Sequence, residues 1–434
     1  MTVRCFLLLL CVVLCVPLRA LAAPVDLPSL LFVSAAASEA AYSGALPELL
    51  RTRLTAAGWQ IEAYETPGRR GTVGRFFHMV RTAGDGATTH FITFPGTERG
   101  SDVWTDLRLG RAVFGGSSPA EFLAMRDMPV AERGETPLVH RGFLDYTQAA
   151  LFTETLPAYD DRTAGEVIAD ELRAHPEARL YLAGHSLGGA AAILAAARLA
   201  DLGVSPEQLV VTTFGTPAVG NAAFARAYEG RFTLYRVVMH GDPMKDLLAD
   251  PLGFRPFGTR IAWDPARSVA AFPHAMTVYV DAAIRQLYDA SGGDDALLFL
   301  MGHPSRTKGR PLYVTPIETA LDGALAEDAP YMAAVLRDAL HVRNAAVVCA
   351  AGGSGLSETG LHVHCAAARA AGADQLVAYR ITGAKVRHTR ETYRLALERT
   401  VYDTKGNLLA ATTRSALTGT LTPIEVVLYL FAQD

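Results

Sequence analysis

Residues 179–202 constrain the fold of this chain more than any other segment. They read RLYLAGHSLGGAAAILAAARLADL, so an apolar run precedes the pattern Gly-His-Ser-Leu-Gly and an alanine-rich run follows it. The first run is typical of a buried parallel strand. The second favours a helix, because alanine has the highest helix propensity and no proline interrupts it. Ser186 is therefore predicted to lie where a strand turns sharply into a helix.

Such a strand–turn–helix sequence is the context of a nucleophile elbow, in which a serine Oγ projects from a strained turn. Gly184 and Gly188 have no Cβ, so the strand and the helix can cross closely beside the serine. The backbone N–H of Leu187 would lie at the helix N-terminus, where it can donate a hydrogen bond to a developing oxyanion. The alternative is a Gly/Ser turn before an ordinary helix.

The composition and the glycine pattern argue against binding of nucleic acid and of nucleotide phosphates. Half of the 434 residues are hydrophobic, the formal net charge is −4, and no basic block occurs. These features argue against nucleic acid as a partner. The glycine-rich residues 352–355 are not followed by the Gly-Lys-Ser/Thr of a phosphate-binding loop. We expect no cofactor, and the sequence indicates no protein partner.

The first 22 residues are predicted to be a signal peptide. Arg4 supplies the positive charge, residues 5–16 are apolar, and Pro17 ends the run. An Ala-Leu-Ala sequence at residues 20–22 offers a cleavage site before Ala23. We therefore expect a secreted, periplasmic or extracellular protein. An uncleaved membrane anchor is one alternative, and a lipoprotein modified at Cys11 or Cys15 is another.

Three further motifs accompany the elbow. An apolar strand ends in Phe-Pro-Gly-Thr at residues 94–97, Asp-Val-Trp-Thr-Asp-Leu follows at 102–107, and Val-His-Arg-Gly-Phe occupies 139–143. With Gly-His-Ser-Leu-Gly-Gly at 184–189, these motifs make residues 75–285 resemble the class 3 lipases, the fungal-type triacylglycerol lipases. One departure is Val103, because the family usually has aspartate next to the tryptophan. The resemblance implies an α/β-hydrolase fold and a serine esterase activity.

A catalytic serine needs a general base, nearly always histidine, and that base needs an orienting carboxylate. In α/β-hydrolases the order along the chain is serine, acid, histidine. The predicted strand at residues 232–239 leads to Asp242, which would lie at the carboxyl edge of the sheet. The family likewise has Asp-Pro at this point. We predict Asp242 as the acid, with Asp246 and Asp250 as alternatives.

His274 is the predicted general base. It stands before a predicted helix, and with Met276 and Tyr279 it matches the family pattern His-x-Met-x-x-Tyr. The alternative is an ordinary surface histidine. Three other histidines near the motifs are expected to support packing: His140, His185 and His240.

Thr97 is predicted to complete the oxyanion hole. It follows an apolar strand and a glycine, in the loop where α/β-hydrolases supply the second N–H group. The family implies that its hydroxyl and its amide both contribute, and the alternative is a simple turn residue.

We further hypothesise that residues 104–128 form or flank a lid over an apolar acyl groove. A packed or disordered surface loop is the alternative for that segment.

The alternation of predicted strands and helices indicates an α/β fold with a mostly parallel, helix-covered sheet. We predict a signal peptide at residues 1–22, a hydrolase domain at 23–291, a linker at 292–316 and a small α+β appendage at 317–434. No family is recognised in that appendage. In it, residues 317–339 are predicted to be helical and residues 361–366 to form a strand.

Two cysteines remain after the predicted leader, Cys349 and Cys365. In an oxidising compartment they could pair as a disulfide, and two separate buried thiols are the alternative. His362 and His364 would share one face of the predicted strand beside Cys365. No fourth ligand is evident, so we predict no metal site.

The sequence therefore predicts a secreted serine lipase that hydrolyses lipid esters, acylglycerols first, at a lipid–water interface. A phospholipase A1 or an esterase on acylated polysaccharide shares the same motifs. An inactive hydrolase-fold surface protein that binds a partner is the alternative from another class.

Overall fold

The computed structural model describes residues 26–56, 58–67, 73–82, 88–96, 110–130, 135–248, 253–291, 311–344, 346–350, 356, 358–389 and 391–433. Contacts divide the chain into two compact units. Unit 1 comprises Met1–Pro47 and Trp59–Trp263, and unit 2 comprises Glu48–Gly58 and Asp264–Asp434. Residues 264–291 thus cluster with the C-terminal part of the chain. The predicted domain limits, with a hydrolase domain ending at residue 291, stay a prediction.

Eleven strands are seen in the described part of unit 1. They are β1 (Gln60–Pro67), β2 (Val73–Thr82), β3 (Thr88–Phe94), β4 (Arg111–Val113), β5 (Leu138–His140), β6 (Thr155–Leu156), β7 (Arg162–Thr163), β8 (Leu180–His185), β9 (Leu209–Phe214), β10 (Thr233–Met239) and β11 (Thr259–Trp263). Seven of them form one sheet in the order β1-β2-β3-β8-β9-β10-β11. The first three pair antiparallel and the others parallel, which confirms the predicted mostly parallel sheet.

The helices described in unit 1 are α1 (Leu27–Ala40), α3 (Pro119–Asp127), α4 (Arg141–Leu151), α5 (Ala164–Ala174), α6 (Leu187–Asp201) and α7 (Ala222–Tyr228), while the residues of α2 (Ala45–Ala56) are divided between the two units. Of these helices, α1, α4 and α6 pack on the seven-stranded sheet. All six residues of β8 are buried, because β3 and β9 flank it and helices lie over it. The alanines of α6 let that helix pack closely on the sheet, as its sequence predicts.

The parallel strands end together at one edge of the sheet. His185 of β8 lies beside Phe214 of β9, and Phe214 lies beside Val237 of β10. The residues that follow these strands therefore emerge at the same edge, where ligands of open α/β sheets bind.

Unit 2 contains a second sheet, with strands in the order β14-β12-β15-β16-β17 and β13 paired to β15. Its strands are β12 (Leu312–Val314), β13 (Glu318–Leu321), β14 (Val347–Cys349), β15 (Gln375–Lys385), β16 (Tyr393–Asp403) and β17 (Leu408–Leu417). Its helices are α8 (Met276–Ser291), α9 (Ala329–Arg343), α10 (Glu358–Ala370) and α11 (Pro423–Ala432). No helix in the described residues of either unit is long and apolar enough to cross a membrane.

Two predicted elements of unit 2 are wrong. Residues 317–339 are not one helix: β13 comes first, a 3-10 helix (Gly323–Asp328) follows, and only then does α9 begin. Gly323, with φ of 58°, breaks the continuous helical path. Residues 361–366 belong to α10 rather than to a strand. The buried positions Gly360, His364 and Ala368 recur every fourth residue, which is a helical period that the short apolar run concealed.

Three histidines of unit 1 have a pKa that is lowered by removal from water, and His140 is the most deeply buried of them. His78 and His90 stack on neighbouring strands, with ring centroids 5.5 Å apart, and burial lowers their pKa to about 3 and about 4. His140 is 1% exposed and its Nδ1 accepts a hydrogen bond from the N–H of Phe143 at the start of α4. Burial lowers the pKa of His140 to about 4 as well. His140 therefore supports packing, as predicted.

We predict that unit 1 loses stability as the pH falls from 6.5 towards 4. The unfolded chain binds protons below an ordinary histidine pKa of about 6.5, while the native histidines stay neutral, so each costs about 1.4 kcal/mol per pH unit in that window. His140→Asn keeps an acceptor at the helix N-terminus and removes one titration. Urea unfolding at several pH values should show a slope smaller by about 1.4 kcal/mol per pH unit in this variant. An unchanged slope would contradict the assignment.

Candidate active site

Ser186 lies at the junction that the sequence predicted, directly after β8 and before the first residue of α6. Its backbone has φ of 55° and ψ of −119°, a conformation that costs a non-glycine residue on the order of 1–3 kcal/mol. The N–H of Ser186 donates to the carbonyl of Phe214 at 3.0 Å, which ties the strained turn to β9. A strained residue persists only where the surrounding structure imposes its conformation, and such residues cluster at functional sites.

The glycines beside Ser186 allow the close crossing that the turn requires. A Cβ on Gly184 would lie 2.2 Å from the carbonyl carbon of Gly188, and a Cβ on Gly188 would lie 2.0 Å from the carbonyl oxygen of Phe94. A Cβ on Gly189 would meet the Thr216 hydroxyl at 1.9 Å. No side chain larger than hydrogen fits at these positions without backbone movement. Leu187 begins α6, so its N–H belongs to the helix N-terminus.

Tyr42 connects the two loops that the motifs single out, and the sequence analysis did not find it. Its hydroxyl lies 2.7 Å from Nδ1 of His185, the residue before the serine. A Cβ on Gly96, the residue before Thr97, would lie 2.0 Å from the same hydroxyl. Tyr42 follows α1, more than a hundred residues before the elbow, and no local pattern predicts that long-range contact. Thr97 itself lies outside the described residues.

Asp242 is the buried acid nearest to the end of β10. Its side chain is 1% exposed, and Oδ1 accepts a hydrogen bond from the N–H of Met244 at 2.8 Å. Its strand is separated from β8 by β9 alone, so Asp242 and Ser186 follow parallel strands at the same sheet edge. The alternative Asp246 ends the 3-10 helix Pro243–Asp246, and the alternative Asp250 lies outside the described residues.

His274 belongs to unit 2, whereas Ser186 and Asp242 belong to unit 1. It is half-buried and stands two residues before α8, as predicted for a loop histidine at a helix start. Its ring centroid is 6.4 Å from that of Phe272, which is 61% exposed. The assignment of His274 as the general base stays a prediction.

The lid hypothesis for residues 104–128 stays a prediction, and the described part of this segment is well packed. Residues 110–127 include β4 and α3, and their aromatic side chains Phe114 and Phe122 are at most 2% exposed. They enclose the guanidinium of Arg198 on α6, at 3.8 and 4.0 Å from their ring centroids. Arg198 also donates to the carbonyl of Gly115 at 2.6 Å. Phe114 and Phe122 thus belong to the hydrophobic core of unit 1 and pack against α6. Residues 104–109 lie outside the described residues.

The predicted disulfide and the histidine pair are both placed in unit 2. Cys349 Sγ lies 3.8 Å from Nε2 of His341, and Cys365 Sγ lies 3.8 Å from the carbonyl of Asp403. The disulfide stays a prediction. On α10, His362 is exposed and His364 is buried, with Nδ1 3.3 Å from the Tyr313 hydroxyl. Among the residues that can be described, no group of three His, Cys, Asp or Glu could hold a metal ion.

A mostly parallel sheet and a serine in a strained turn between strand and helix define unit 1 as an α/β-hydrolase. Residues 91–250 match the family model described as Lipase (class 3). This match confirms the resemblance to the class 3 lipases over that segment.

Individual proteins share shorter stretches. Lipase ZK262.3 of Caenorhabditis elegans is 36% identical over 118 residues, which cover 25% of this chain and 32% of that protein. Phospholipase A1-II 4 of rice, Oryza sativa subsp. japonica, is 28% identical over 147 residues, or 31% of this chain and 36% of that protein. The chain thus spans about a third of the length of these relatives. The solved structure of lipase II from Rhizopus niveus overlaps 56% of this chain and 83% of that chain, with 21% identity and a TM-score of 0.40.

We predict that Gly188→Ala lowers the free energy of unfolding by about 3 kcal/mol, because the new methyl group would meet the backbone of Phe94. Gly419→Ala is the matched control: a Cβ there has no neighbour within 4 Å. Urea unfolding measures both variants. Equal stability of Gly188→Ala and the parent would show that the space between α6 and β3 accommodates a methyl group at position 188.

Proposed function

We propose that the protein is a secreted serine esterase that hydrolyses lipid esters, with acylglycerols as the preferred class. One observation carries the proposal: Ser186 occupies a strained turn between β8 and α6 within a class 3 lipase segment. The relatives with the names lipase and phospholipase A1 support the same substrate class.

In the proposed mechanism, His274 accepts the proton of the Ser186 hydroxyl while Oγ attacks the ester carbonyl carbon. The N–H groups of Leu187 and Thr97 stabilise the oxyanion of the tetrahedral intermediate. The C–O bond to the alcohol then breaks, and His274 protonates the leaving oxygen. Water, deprotonated by His274, hydrolyses the acyl-enzyme and releases the carboxylic acid. Asp242 orients the imidazole throughout.

We predict that Ser186→Ala lowers kcat on p-nitrophenyl butyrate by a factor of about 10⁴ or more, because no other group can form the acyl-enzyme. Ser205→Ala is the control, since its hydroxyl lies at the surface and contacts only Glu207 among the described residues. Initial rates at saturating substrate measure both variants. Hydrolysis by Ser186→Ala at the parent's rate would exclude the serine mechanism.

A phospholipase A1 activity is the second candidate, because the rice relative carries that name. Triglyceride emulsions, phosphatidylcholine vesicles and acetylated xylan separate the candidates when they are assayed at equal enzyme concentration. Faster release of fatty acid from the emulsion supports the acylglycerol proposal. Faster release of fatty acid from the vesicles would contradict the acylglycerol proposal in favour of a phospholipase. Faster release of acetate from xylan would contradict it in favour of a polysaccharide esterase.

Secretion is part of the proposal and rests on the leader alone, which lies outside the described residues. We expect the full-length chain, expressed in a secreting host, to appear in the medium or periplasm with Ala23 as its N-terminus. N-terminal sequencing of the exported protein measures this. A chain that keeps residues 1–22 in the membrane fraction would indicate the anchor instead.

A further inference from the structure

The position of His274 follows from the position of α8. The N–H of Ala275 donates to the carbonyl of Phe272 at 2.7 Å, and the N–H of Val278 donates to Ala275 at 3.0 Å. These bonds join the histidine loop to the first turn of the helix. Most of α8 is buried, so the helix is packed against the elements around it.

A buried ion cluster attaches α8 to the segment that precedes α9. The guanidinium of Arg285 donates from Nε to Asp281 at 2.6 Å and from Nη1 to Asp328 at 2.8 Å. The side chains of both aspartates are 2% exposed, and that of Arg285 is 13% exposed. The guanidinium also lies 4.8 Å from the ring centroid of Tyr331 on α9. Arg285 therefore joins two consecutive turns of α8 to residues 328–331.

Two tyrosines extend this connection towards the C-terminal end of α8. The hydroxyl of Tyr288 donates to the carboxylate of Asp338 on α9. The hydroxyl of Tyr331 donates to Asp289 at 2.8 Å. Directional polar bonds thus join α8 to the following elements at Arg285, Tyr288 and Asp289, which together span about one helical turn.

Such bonds restrict how a helix slides and rotates more than apolar packing does. A charge-assisted bond between guanidinium and carboxylate has a fixed geometry, and a buried pair of this kind contributes more to geometry than to net stability. A displacement of about 1 Å at a catalytic group can cost about a hundredfold in rate. The cluster therefore restricts where α8, and with it the loop that carries His274, can lie.

We infer that the C-terminal part of unit 2 positions His274, with Asp328 and Arg285 as positioning residues for the proposed reaction. The inference rests on the proposed function. It gives a role to residues 328–338, which lie beyond the segment that matches the lipase family. Residues 328–338 are then required for ester hydrolysis even though they supply no reacting group.

The test compares two adjacent residues in the full-length protein. Asp328→Ala removes the buried contact to Arg285, and Glu327→Ala removes an exposed ion pair with Arg267 as the matched control. We expect Asp328→Ala to lower kcat on p-nitrophenyl butyrate by 10- to 100-fold. Its KM should change by less than about threefold, because the acyl pocket is not altered. Glu327→Ala should keep the parent's kcat, and Asp328→Asn, which keeps an acceptor for Arg285, should recover most of the rate.

Circular dichroism and urea unfolding verify that each variant is folded at the assay temperature. If Asp328→Ala does not fold, Tyr288→Phe decides, because it removes one bond to Asp338 and keeps the ring; a decrease in kcat with unchanged KM is again expected. A folded variant with the parent's kcat would overturn the inference. His274→Ala distinguishes failure of the inference from failure of the proposed function. If this variant kept the parent's kcat, the proposed triad itself would be overturned.

Discussion

The close crossing of β8 and α6 is the constraint on which unit 1 depends. Gly184 and Gly188 let the backbones of strand and helix approach closely, and Ser186 between them has a strained conformation with positive φ. A strained residue persists only where its surroundings over-determine it. Here the hydrogen bond from Ser186 to Phe214 of β9 and the packing of the buried helix α6 hold the serine in this conformation.

The same crossing organises the groups around the serine. Tyr42 contacts His185 on one side and leaves room only for glycine at position 96 on the other. The elbow and the loop that leads to Thr97 are therefore held by one side chain from α1's C-terminal end. Asp242 follows a parallel strand of the same sheet, and its carboxylate is fixed by the backbone N–H of Met244. Unit 1 thus presents the proposed nucleophile, Ser186, and a buried acid, Asp242, after parallel strands of one sheet, and unit 2 carries the proposed base.

Local signals in the sequence predicted most of unit 1, because each of them is short-range. The apolar run of β8, the elbow glycines and the alanines of α6 each define their own conformation. Long-range contacts could not be predicted in this way. Tyr42 belongs to no local motif, and the sequence around Phe114 and Phe122 does not indicate that their rings pack on Arg198. In unit 2 the alternating residues around His364 fitted a strand and a helix equally well, and only tertiary burial decides between them.

The central claim is that Ser186 is a nucleophile activated by His274. Treatment of the full-length protein with a fluorophosphonate, followed by intact-mass analysis and peptide mapping, tests it most directly. The account predicts one adduct per chain, on Ser186, formed far more slowly in His274→Ala. An adduct on another residue, or the same labelling rate without His274, would contradict it.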